Sequence, residues 1–161
     1  MVSEKDIWNL LEEVADPEIP VLTIVDLGIV RKVEISEKGI KVTITPTYSG
    51  CPAMKRIEDD IHEKLKEKNL SQTEVELVLS PAWTTDWISE NGKQKLKEYG
   101  IAPPENEPDK SILFAKPIVV PCPQCDSKDT KLISQFGSTA CKAHYQCNNC
   151  LEPFDYFKCL R

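Results

Sequence analysis

The chain has 161 residues, of which 40% are hydrophobic and 29% charged, and its 20 basic and 26 acidic side chains give a net charge of −6. This length fits one ordinary domain or two small ones and excludes a large enzyme. The acidic balance disfavours a protein that binds along a polyanion, so we expect no nucleic-acid partner. No apolar run approaches the roughly 20 residues that cross a bilayer, and the first residues lack the pattern of a signal peptide. We therefore expect a cytoplasmic protein without a membrane contact.

The first hundred residues predict a small α+β domain with the element order α-β-β-α-β-α and a short mixed sheet. Apolar side chains recur three or four residues apart where we expect helices, and they alternate with polar ones where we expect strands. Pro52 suits the first position of a helix, and Gly100 suits the residue that follows one. The predicted segments are helices near 3–15, 52–68 and 89–99 and strands near 29–35, 40–45 and 74–80.

The seven cysteines divide the chain in two, because Cys51 stands alone and the other six fall within the last 40 residues. An odd number of cysteines without an export signal argues against a disulfide framework and for metal or thiol chemistry. A proline-rich, acidic stretch separates the two parts and has the composition of a linker. We therefore predict a domain over 1–100, a linker over 101–116 and a metal-stabilised ribbon over 117–161.

Two C-x2-C pairs lie in the ribbon segment, Cys122 with Cys125 and Cys147 with Cys150, and 21 residues separate them. A two-residue spacing lets one tight turn present both sulfurs to the same ion, and two such turns complete a tetrahedron. The pattern predicts a structural zinc site with four thiolate ligands. A rubredoxin-like iron site and a redox-active dithiol are the alternatives that the spacing leaves open. The ribbon strands are predicted near 131–136 and 141–146.

Cys141 and Cys159 lie outside these two pairs. Each fits a small buried residue of a strand, which is the commoner setting of a free cysteine. The alternative is a second thiol pair that contacts iron or a partner's cluster, and His144 could complete such a site. The sequence leaves both interpretations open.

The lone Cys51 lies in a short loop, residues 45–52, that joins the second predicted strand to the second predicted helix. Its position at a helix start favours the thiolate, because unpaired backbone N–H groups and the helix dipole stabilise negative charge there. Thr47 belongs to the hydroxyl-rich part of this loop, which suits a small anion or a metal–sulfur species. The alternative is an inert, buried cysteine.

Two aspartates adjoin apolar runs and need polar partners if they are buried. Asp16 could simply end the first helix. Asp26 could cap the turn before Gly28, or it could orient the loop that carries Cys51. Asp26 is therefore a candidate for supporting the Cys51 site.

The sequence contains no recognisable catalytic constellation. A phosphate-binding glycine-rich loop and a G-x-S-x-G motif are absent, and His62-Glu63 is followed by Lys66 where a zinc protease needs a second histidine. We therefore predict a protein without an active site of its own.

Trp83 and Trp87 are interpreted as a surface that faces a partner or the other domain.

Two sets of motifs resemble known proteins. Asp-Pro-Glu-Ile-Pro, Val-Asp-Leu-Gly-Ile-Val and Thr-Tyr-Ser-Gly-Cys-Pro resemble the signature of the small iron–sulfur cluster assembly domain of SufT-like factors. The segments 80–88, 122–125, 136–143 and 152–159 are similar to the PaaD family, also called PaaJ, which belongs to the phenylacetyl-CoA ring-1,2-epoxidase system. This second resemblance covers nearly the whole chain.

The resemblance implies an accessory protein of a multicomponent di-iron monooxygenase in aerobic phenylacetate degradation. Such a protein assists the assembly of a metal centre in a partner and does not oxidise substrate. Cys51 matches the functional thiol, which implies transient binding of iron or an iron–sulfur cluster, and Asp26 matches the acid of the Asp-Leu-Gly motif. The implied partners are the oxygenase and reductase components of the epoxidase. The four ribbon cysteines match structural zinc ligands, and homodimer formation stays open.

Two other classes of function remain open. The first is a non-catalytic structural component of the oxygenase complex, in which Cys51 is dispensable. The second is a zinc-ribbon protein that binds nucleic acid. Residues 121–161 carry 5 basic and 4 acidic side chains, a net charge of +1, which offers little to neutralise phosphates.

Overall fold

The computed structural model describes residues 1–104 and 118–158, and the chain folds as two compact units, Met1–Gly92 and Lys93–Arg161. Within the described ranges, three helices and two small sheets make the fold α+β, as the sequence predicts. None of the helices in those ranges is long and apolar enough to cross a membrane.

Residues 1–99 contain the predicted elements in the predicted order. Helix α1 begins at a capping box, since the Ser3 hydroxyl accepts a hydrogen bond from the Asp6 N–H and the Asp6 carboxylate accepts one from the Ser3 N–H. The elements are α1 (Glu4–Leu11), β1 (Val30–Ser36), β2 (Gly39–Ile44), α2 (Ala53–Lys66), β3 (Thr73–Leu77), a 3-10 turn (Thr85–Trp87) and α3 (Glu90–Tyr99), which continues into the second unit.

Helix α1 ends four residues earlier than the apolar pattern predicts. Beyond Leu11 the chain turns back on itself, and Ala15 forms an isolated antiparallel bridge with Thr23. The Asp16 N–H donates to the carbonyl oxygen of Leu22 at 2.8 Å. Val14 is buried as the helical pattern requires, but it is buried outside the helix.

The sheet of the first unit has the order β1-β2-β3. Strands β1 and β2 form an antiparallel hairpin, and β2 and β3 pair in parallel with α2 as the connection between them. Ile40, Val42 and Ile44 of β2 are buried, as their alternation predicts. The loop that carries Cys51 leaves the sheet at the end of this buried central strand.

The second unit is built on a four-stranded sheet with the order β4-β7-β6-β5. Strands β5 and β6 correspond to the two predicted ribbon strands, whereas β4 and β7 were not predicted. Its apolar core includes Val120, Tyr145, Phe154 and Tyr156. The strands are β4 (Ile101–Ala102), β5 (Thr130–Ser134), β6 (Lys142–Cys147) and β7 (Pro153–Phe157).

The predicted linker over 101–116 begins in a strand. Ile101 and Ala102 pair in parallel with Asp155 and Tyr156 of β7, so the sheet of the second unit includes them. Residues 105–116 of the predicted linker lie outside the described residues. The predicted domain bounds at 100 and 117 therefore remain predictions.

Candidate functional site

The two C-x2-C pairs come together in the second unit. Their four Sγ atoms all lie within 4.8 Å of one another, with 3.7 Å between Cys122 and Cys150 and 3.6 Å between Cys125 and Cys147. Four sulfurs held about 2.3 Å from a central zinc ion are about 3.8 Å apart in a regular tetrahedron. The sequence spacing and the folded geometry therefore agree on a four-sulfur metal site.

Nearby N–H groups point at the sulfurs of this site. The Cys150 N–H donates to Cys147 Sγ at 3.5 Å, and the Asn149 side chain donates to Cys125 Sγ at 3.7 Å. A hydrogen bond from the Ser127 backbone, with a smaller contribution from Asn149, lowers the pKa of the Cys125 thiol to about 7. Such hydrogen bonds orient metal-binding thiolates and stabilise their charge.

The Cys150 thiol shows why the site needs a cation. The Glu152 backbone N–H acts to lower the pKa of Cys150, but burial and the three neighbouring sulfurs together outweigh it and raise that pKa to about 12. Four thiols this close cannot all lose their protons unless a positive ion takes their place. The donor set thus fits a thiophilic divalent metal such as zinc.

Of the two ribbon cysteines outside the C-x2-C pairs, only Cys141 lies within the described residues. Cys141 is 3% exposed, with its Sγ 3.1 Å from Thr139 Oγ1, and it is not part of the four-sulfur group. Its burial agrees with the interpretation of a small strand-associated residue. Cys159 lies outside the described residues, so a second thiol pair stays a prediction. His144 Nδ1 lies 3.2 Å from a carboxylate oxygen of Asp155.

Cys51 lies at the start of α2, as the sequence predicts, although the helix begins at Ala53, one residue later than predicted, with Pro52 as its N-cap. The side chain is half-buried. The Cys51 N–H donates to the Tyr48 carbonyl oxygen at 3.3 Å, and the Cys51 carbonyl accepts from the Met54 N–H at 3.4 Å. These bonds fold the loop into a tight turn that carries the thiol at the start of the helix.

The acidity of Cys51 differs from the prediction. Burial, the largest cause, raises the pKa of the thiol, and the carboxylates of Glu18 and Asp16 raise it further. Hydrogen bonds with the Ala53 backbone and the Tyr48 side chain act in the opposite direction but do not cancel the rise. The expectation that the position at a helix start favours the thiolate is therefore wrong, because desolvation and nearby negative charge favour the protonated form.

Asp16 shapes the turn that brings this negative charge to Cys51. It is 6% exposed, and its Oδ1 accepts hydrogen bonds from the N–H groups of Glu18 at 2.9 Å and Ile19 at 2.7 Å. Asp16 therefore does not end helix α1, which stops at Leu11. It instead caps the turn at Pro17, as an aspartate in this position commonly does.

Asp26 links two segments of the first unit. Its carboxylate accepts hydrogen bonds from the Thr23 N–H at 3.3 Å, the Ser89 hydroxyl at 3.1 Å and the Asn91 side chain at 3.3 Å. The Asp26 N–H in turn donates to the Thr23 hydroxyl at 3.0 Å. These contacts agree with a role in capping the turn before Gly28. The predicted effect of Asp26 on the Cys51 loop stays a prediction.

The hydroxyl-rich loop contains one residue whose importance the sequence did not reveal. Thr47, the predicted site residue, is half-buried. Thr45, at the start of the loop, is 1% exposed, and in the described part of the chain its Oγ1 has no hydrogen-bond partner. A buried hydroxyl in this state loses its hydration without replacing it.

Thr45→Val is expected to raise the free energy of unfolding of the first unit by about 1 kcal/mol, because it replaces an unsatisfied hydroxyl with a methyl group of similar shape. Urea unfolding followed by tryptophan emission measures this change. A loss of stability would contradict the expectation and would mean that the hydroxyl is satisfied in solution.

The two tryptophans secure the segment that Asp26 contacts. Trp83 is 3% exposed, and its Nε1 donates to the Leu27 carbonyl oxygen at 2.8 Å. Trp87 is half-buried, and the Arg31 guanidinium carbon lies 3.5 Å from the centre of its ring. The interpretation of Trp83 as part of a partner-facing surface is wrong, because its ring is buried and its N–H is already hydrogen-bonded within the chain. Burial of so large an apolar ring stabilises the fold, provided that the N–H keeps a partner.

Glu18 and Tyr48 are neighbours of Cys51 that sequence reasoning missed. Both lie in segments that the motifs mark as turns, so a local signal exists. The charge of Glu18 acts on the thiol although the two residues are far apart in sequence, so the fold brings them near each other. No periodic pattern along the chain reports such a contact.

Family comparisons divide the chain as its structure does. Residues 4–77 match the family model described as an iron–sulfur cluster assembly protein, and residues 106–158 match that of the PaaD zinc beta ribbon domain. The first part is 40% identical over 82 residues to the Fe-S protein maturation auxiliary factor SufT of Staphylococcus aureus, covering 50% of this chain and 92% of that relative. It also matches the crystal structure of a domain of unknown function, DUF59, from Bacillus anthracis, with a TM-score of 0.53 and 33% identity over 58% of this chain and 90% of that one.

One relative spans both parts. The chain is 50% identical over 155 residues to a protein of Escherichia coli named as a putative 1,2-phenylacetyl-CoA epoxidase subunit, and the match covers 96% of this chain and 92% of that relative. With the ribbon match, this similarity extends over the assembly-type part and the four-cysteine part together. The chain therefore belongs to the PaaD family of phenylacetyl-CoA epoxidase subunits.

Proposed function

We propose that this protein is an accessory factor that assists the assembly of a metal centre, an iron–sulfur cluster, in a partner of the phenylacetyl-CoA epoxidase system. The observation that carries the proposal is the 50% identity to the putative epoxidase subunit of Escherichia coli across 92% of that relative. The relatives of the first unit are named as Fe-S protein maturation factors, which supports assembly over oxidation of a substrate. The oxygenase and reductase components are then the expected clients, and the protein itself has no active site.

Cys51 is the residue that we assign to the transferred iron or cluster. Its raised pKa keeps the resting side chain protonated, and binding of iron releases that proton to solvent. A protonated thiol is less readily oxidised than a thiolate, so the chemistry that delays ionisation also protects the side chain between transfers. The half-buried position leaves the sulfur accessible to a cargo while the turn holds it in place.

The four-sulfur site of the second unit is assigned to structural zinc. The family match to a zinc ribbon and the close approach of the four sulfurs support this assignment. Zinc bound by Cys122, Cys125, Cys147 and Cys150 supplies folding free energy to a unit with a small apolar core. The ribbon has no step in the transfer and serves to stabilise the unit and contact the client.

Cys51→Ser is expected to abolish client activation without unfolding the protein, because a serine hydroxyl is a poor ligand for iron and has nearly the size of the thiol. The oxygenase and reductase components are purified from cells with the wild-type protein, without it and with the variant. Iron, acid-labile sulfide and epoxidase activity are measured on the same samples. The variant is expected to match the cells that lack the protein.

Ser49→Ala is the matched control, because it changes a neighbouring side chain of the same loop and keeps the thiol. It is expected to leave client iron and sulfide unchanged.

A second candidate function, a structural component of the oxygenase complex, is favoured by the name of the Escherichia coli relative, which calls it a subunit. In that case the clients keep their metal with Cys51→Ser and need stoichiometric protein for activity.

A further inference from the structure

Strand β3 lies at one edge of the sheet of the first unit, and the apolar face of that sheet is uncovered there. Among the described residues, β3 pairs only with β2. Leu77 lies in register with Ile44, and neighbours in register share one face of a sheet. Ile44 is 1% exposed, whereas Leu77 is 49% exposed and Leu79 is 57% exposed. The apolar face therefore continues past the buried core onto the open edge.

The hydrogen bonds to β2 show which backbone groups of β3 face outward. The Ile40 N–H donates to the Gln72 carbonyl oxygen at 2.8 Å, and the Val78 N–H donates to the Ile44 carbonyl oxygen at 2.9 Å. Even-numbered residues therefore point their backbone groups at β2, and the odd-numbered ones between 75 and 79 point theirs away from it. An edge with free backbone groups and exposed apolar side chains is a template for another strand.

A second copy of β3 fits this edge in an antiparallel register. When Leu77 lies opposite Leu77 of the second copy, Val75 lies opposite Leu79 of that copy. All three residues then exchange backbone hydrogen bonds with the second copy, because each presents its N–H and C=O outward. Their side chains share one face, so the exposed apolar row of each copy packs against the row of the other. A surface that complements itself in this way suits a two-fold dimer.

The other side chains of β3 select this register. Glu74 and Glu76 lie 3.8 Å and 3.2 Å from Lys41 Nζ, and the register described above sets Glu76 opposite Val78 of the second copy. Moving the centre of the pair back by one or two residues would set Glu76 opposite itself or opposite Glu74, and opposed like charges destabilise a strand pair. Moving the centre forward brings Pro81, which has no N–H, opposite an outward-facing residue.

We propose that β3 pairs with β3 of a second copy about a two-fold axis at Leu77, so that the two sheets become one continuous sheet. The occupant of the edge is a second copy because the same strand supplies the matching backbone groups, the matching apolar row and a register without opposed acids. This inference goes beyond the proposed function and does not depend on it.

Sedimentation velocity of the full, zinc-loaded chain over a range of concentrations tests the pairing. The salt is held at about 0.15 M, which screens the net charge of −6 on each copy. The wild type is expected to dimerise reversibly. Leu77→Lys and Leu77→Glu each place like charges at the two-fold axis and are expected to weaken dimerisation about 10- to 100-fold. An equimolar mixture of these two variants is expected to recover the dimer, because opposite charges then meet at the axis.

Two further variants complete the comparison. Ile133→Lys makes the same change at a 52% exposed residue of another strand, β5, and is expected to leave dimerisation unchanged. Leu79→Lys changes the more exposed residue of the row and is expected to weaken dimerisation if a Leu77 variant does not fold. Thermal unfolding and zinc content, measured on the same samples, show which variants are folded.

Three results would overturn the inference. A wild type that stays monomeric at every concentration leaves the edge to a strand of another protein. A dimer that folded Leu77 and Leu79 variants do not weaken, or that Ile133→Lys weakens equally, uses a different surface. Two monomeric Leu77 variants whose mixture does not recover the dimer show that Leu77 does not face its own copy. None of these results changes the assay of client iron and sulfide, which decides the proposed function.

Discussion

Cys147→Ser is expected to unfold the second unit and to leave the first unit folded. Cys147 is fully buried, and its sulfur is one of the four that approach one another within 4.8 Å. The apolar core of this unit is small, so most of its stability must come from the metal. Structural zinc in four-ligand sites contributes about 10 kcal/mol or more of apparent binding free energy to folding. Loss of one thiolate ligand removes a large part of that contribution.

The aromatic residues allow the two units to be followed separately. All three tryptophans, Trp8, Trp83 and Trp87, lie in the first unit, whereas Tyr145 and Tyr156 lie in the core of the second. The variant is expected to lose bound zinc and the near-ultraviolet dichroism of the buried tyrosines. Its tryptophan emission and the urea midpoint measured from it are expected to match those of the wild type. A chelator added to the wild type should reproduce both results.

Cys141→Ser makes the same chemical change at a buried cysteine of the same unit outside the four-sulfur group. It is expected to retain zinc and to cost about 1 kcal/mol, the usual scale for placing a hydroxyl in a site shaped for a thiol. Zinc loss from Cys141→Ser would contradict a structural site limited to the two C-x2-C pairs. Retention of zinc and tyrosine dichroism in Cys147→Ser would contradict the structural role of the metal.

The parts of the fold that local patterns encode were predicted from the sequence. The alternation on β2 and the apolar face of α2 gave their elements within a few residues, because burial of one face imposes a fixed period. Strand β7 was missed because it begins with Pro153, has only five residues and carries a single polar side chain, Asp155, between Phe154 and Tyr156. Strand β4 has two residues and exists only through its pairing with β7.

In the candidate site, too, the features set by local spacing were predicted and those set by tertiary contacts were not. The four metal-binding sulfurs were predicted because a two-residue spacing forces a shared turn, whatever the rest of the chain does. The acidity of Cys51 was mispredicted because it depends first on burial of the thiol and then on the charge of Glu18, which is distant in sequence, and neither can be read from the local pattern. The role of Trp83 was mispredicted because its partner, the Leu27 carbonyl oxygen, belongs to a distant turn.

Gly28→Ala is expected to destabilise the first unit by about 3 kcal/mol. Gly28 has φ +68°, and a Cβ added there would lie 2.5 Å from the Trp87 carbonyl oxygen and 2.7 Å from the Trp87 Cβ. The left-handed backbone costs an alanine about 1 to 2 kcal/mol, and the overlap with atoms that cannot easily move adds a similar amount. The overlap would also separate the turn that carries Asp26 from Ser89, whose hydroxyl bonds its carboxylate.

Gly50→Ala separates these two causes. Gly50 has φ +78°, but no atom lies within 4 Å of an added Cβ, so only the backbone cost of about 1 to 2 kcal/mol remains. Urea unfolding followed by tryptophan emission should place the Gly28→Ala midpoint well below that of Gly50→Ala. Zinc content should be unchanged in both, because the four sulfurs lie in the other unit. Equal losses of stability would mean that the close approach of Gly28 to Trp87 contributes nothing to the destabilisation by Gly28→Ala. The segment that carries Ser89 and Asn91 would then be held to the Asp26 turn by hydrogen bonds alone.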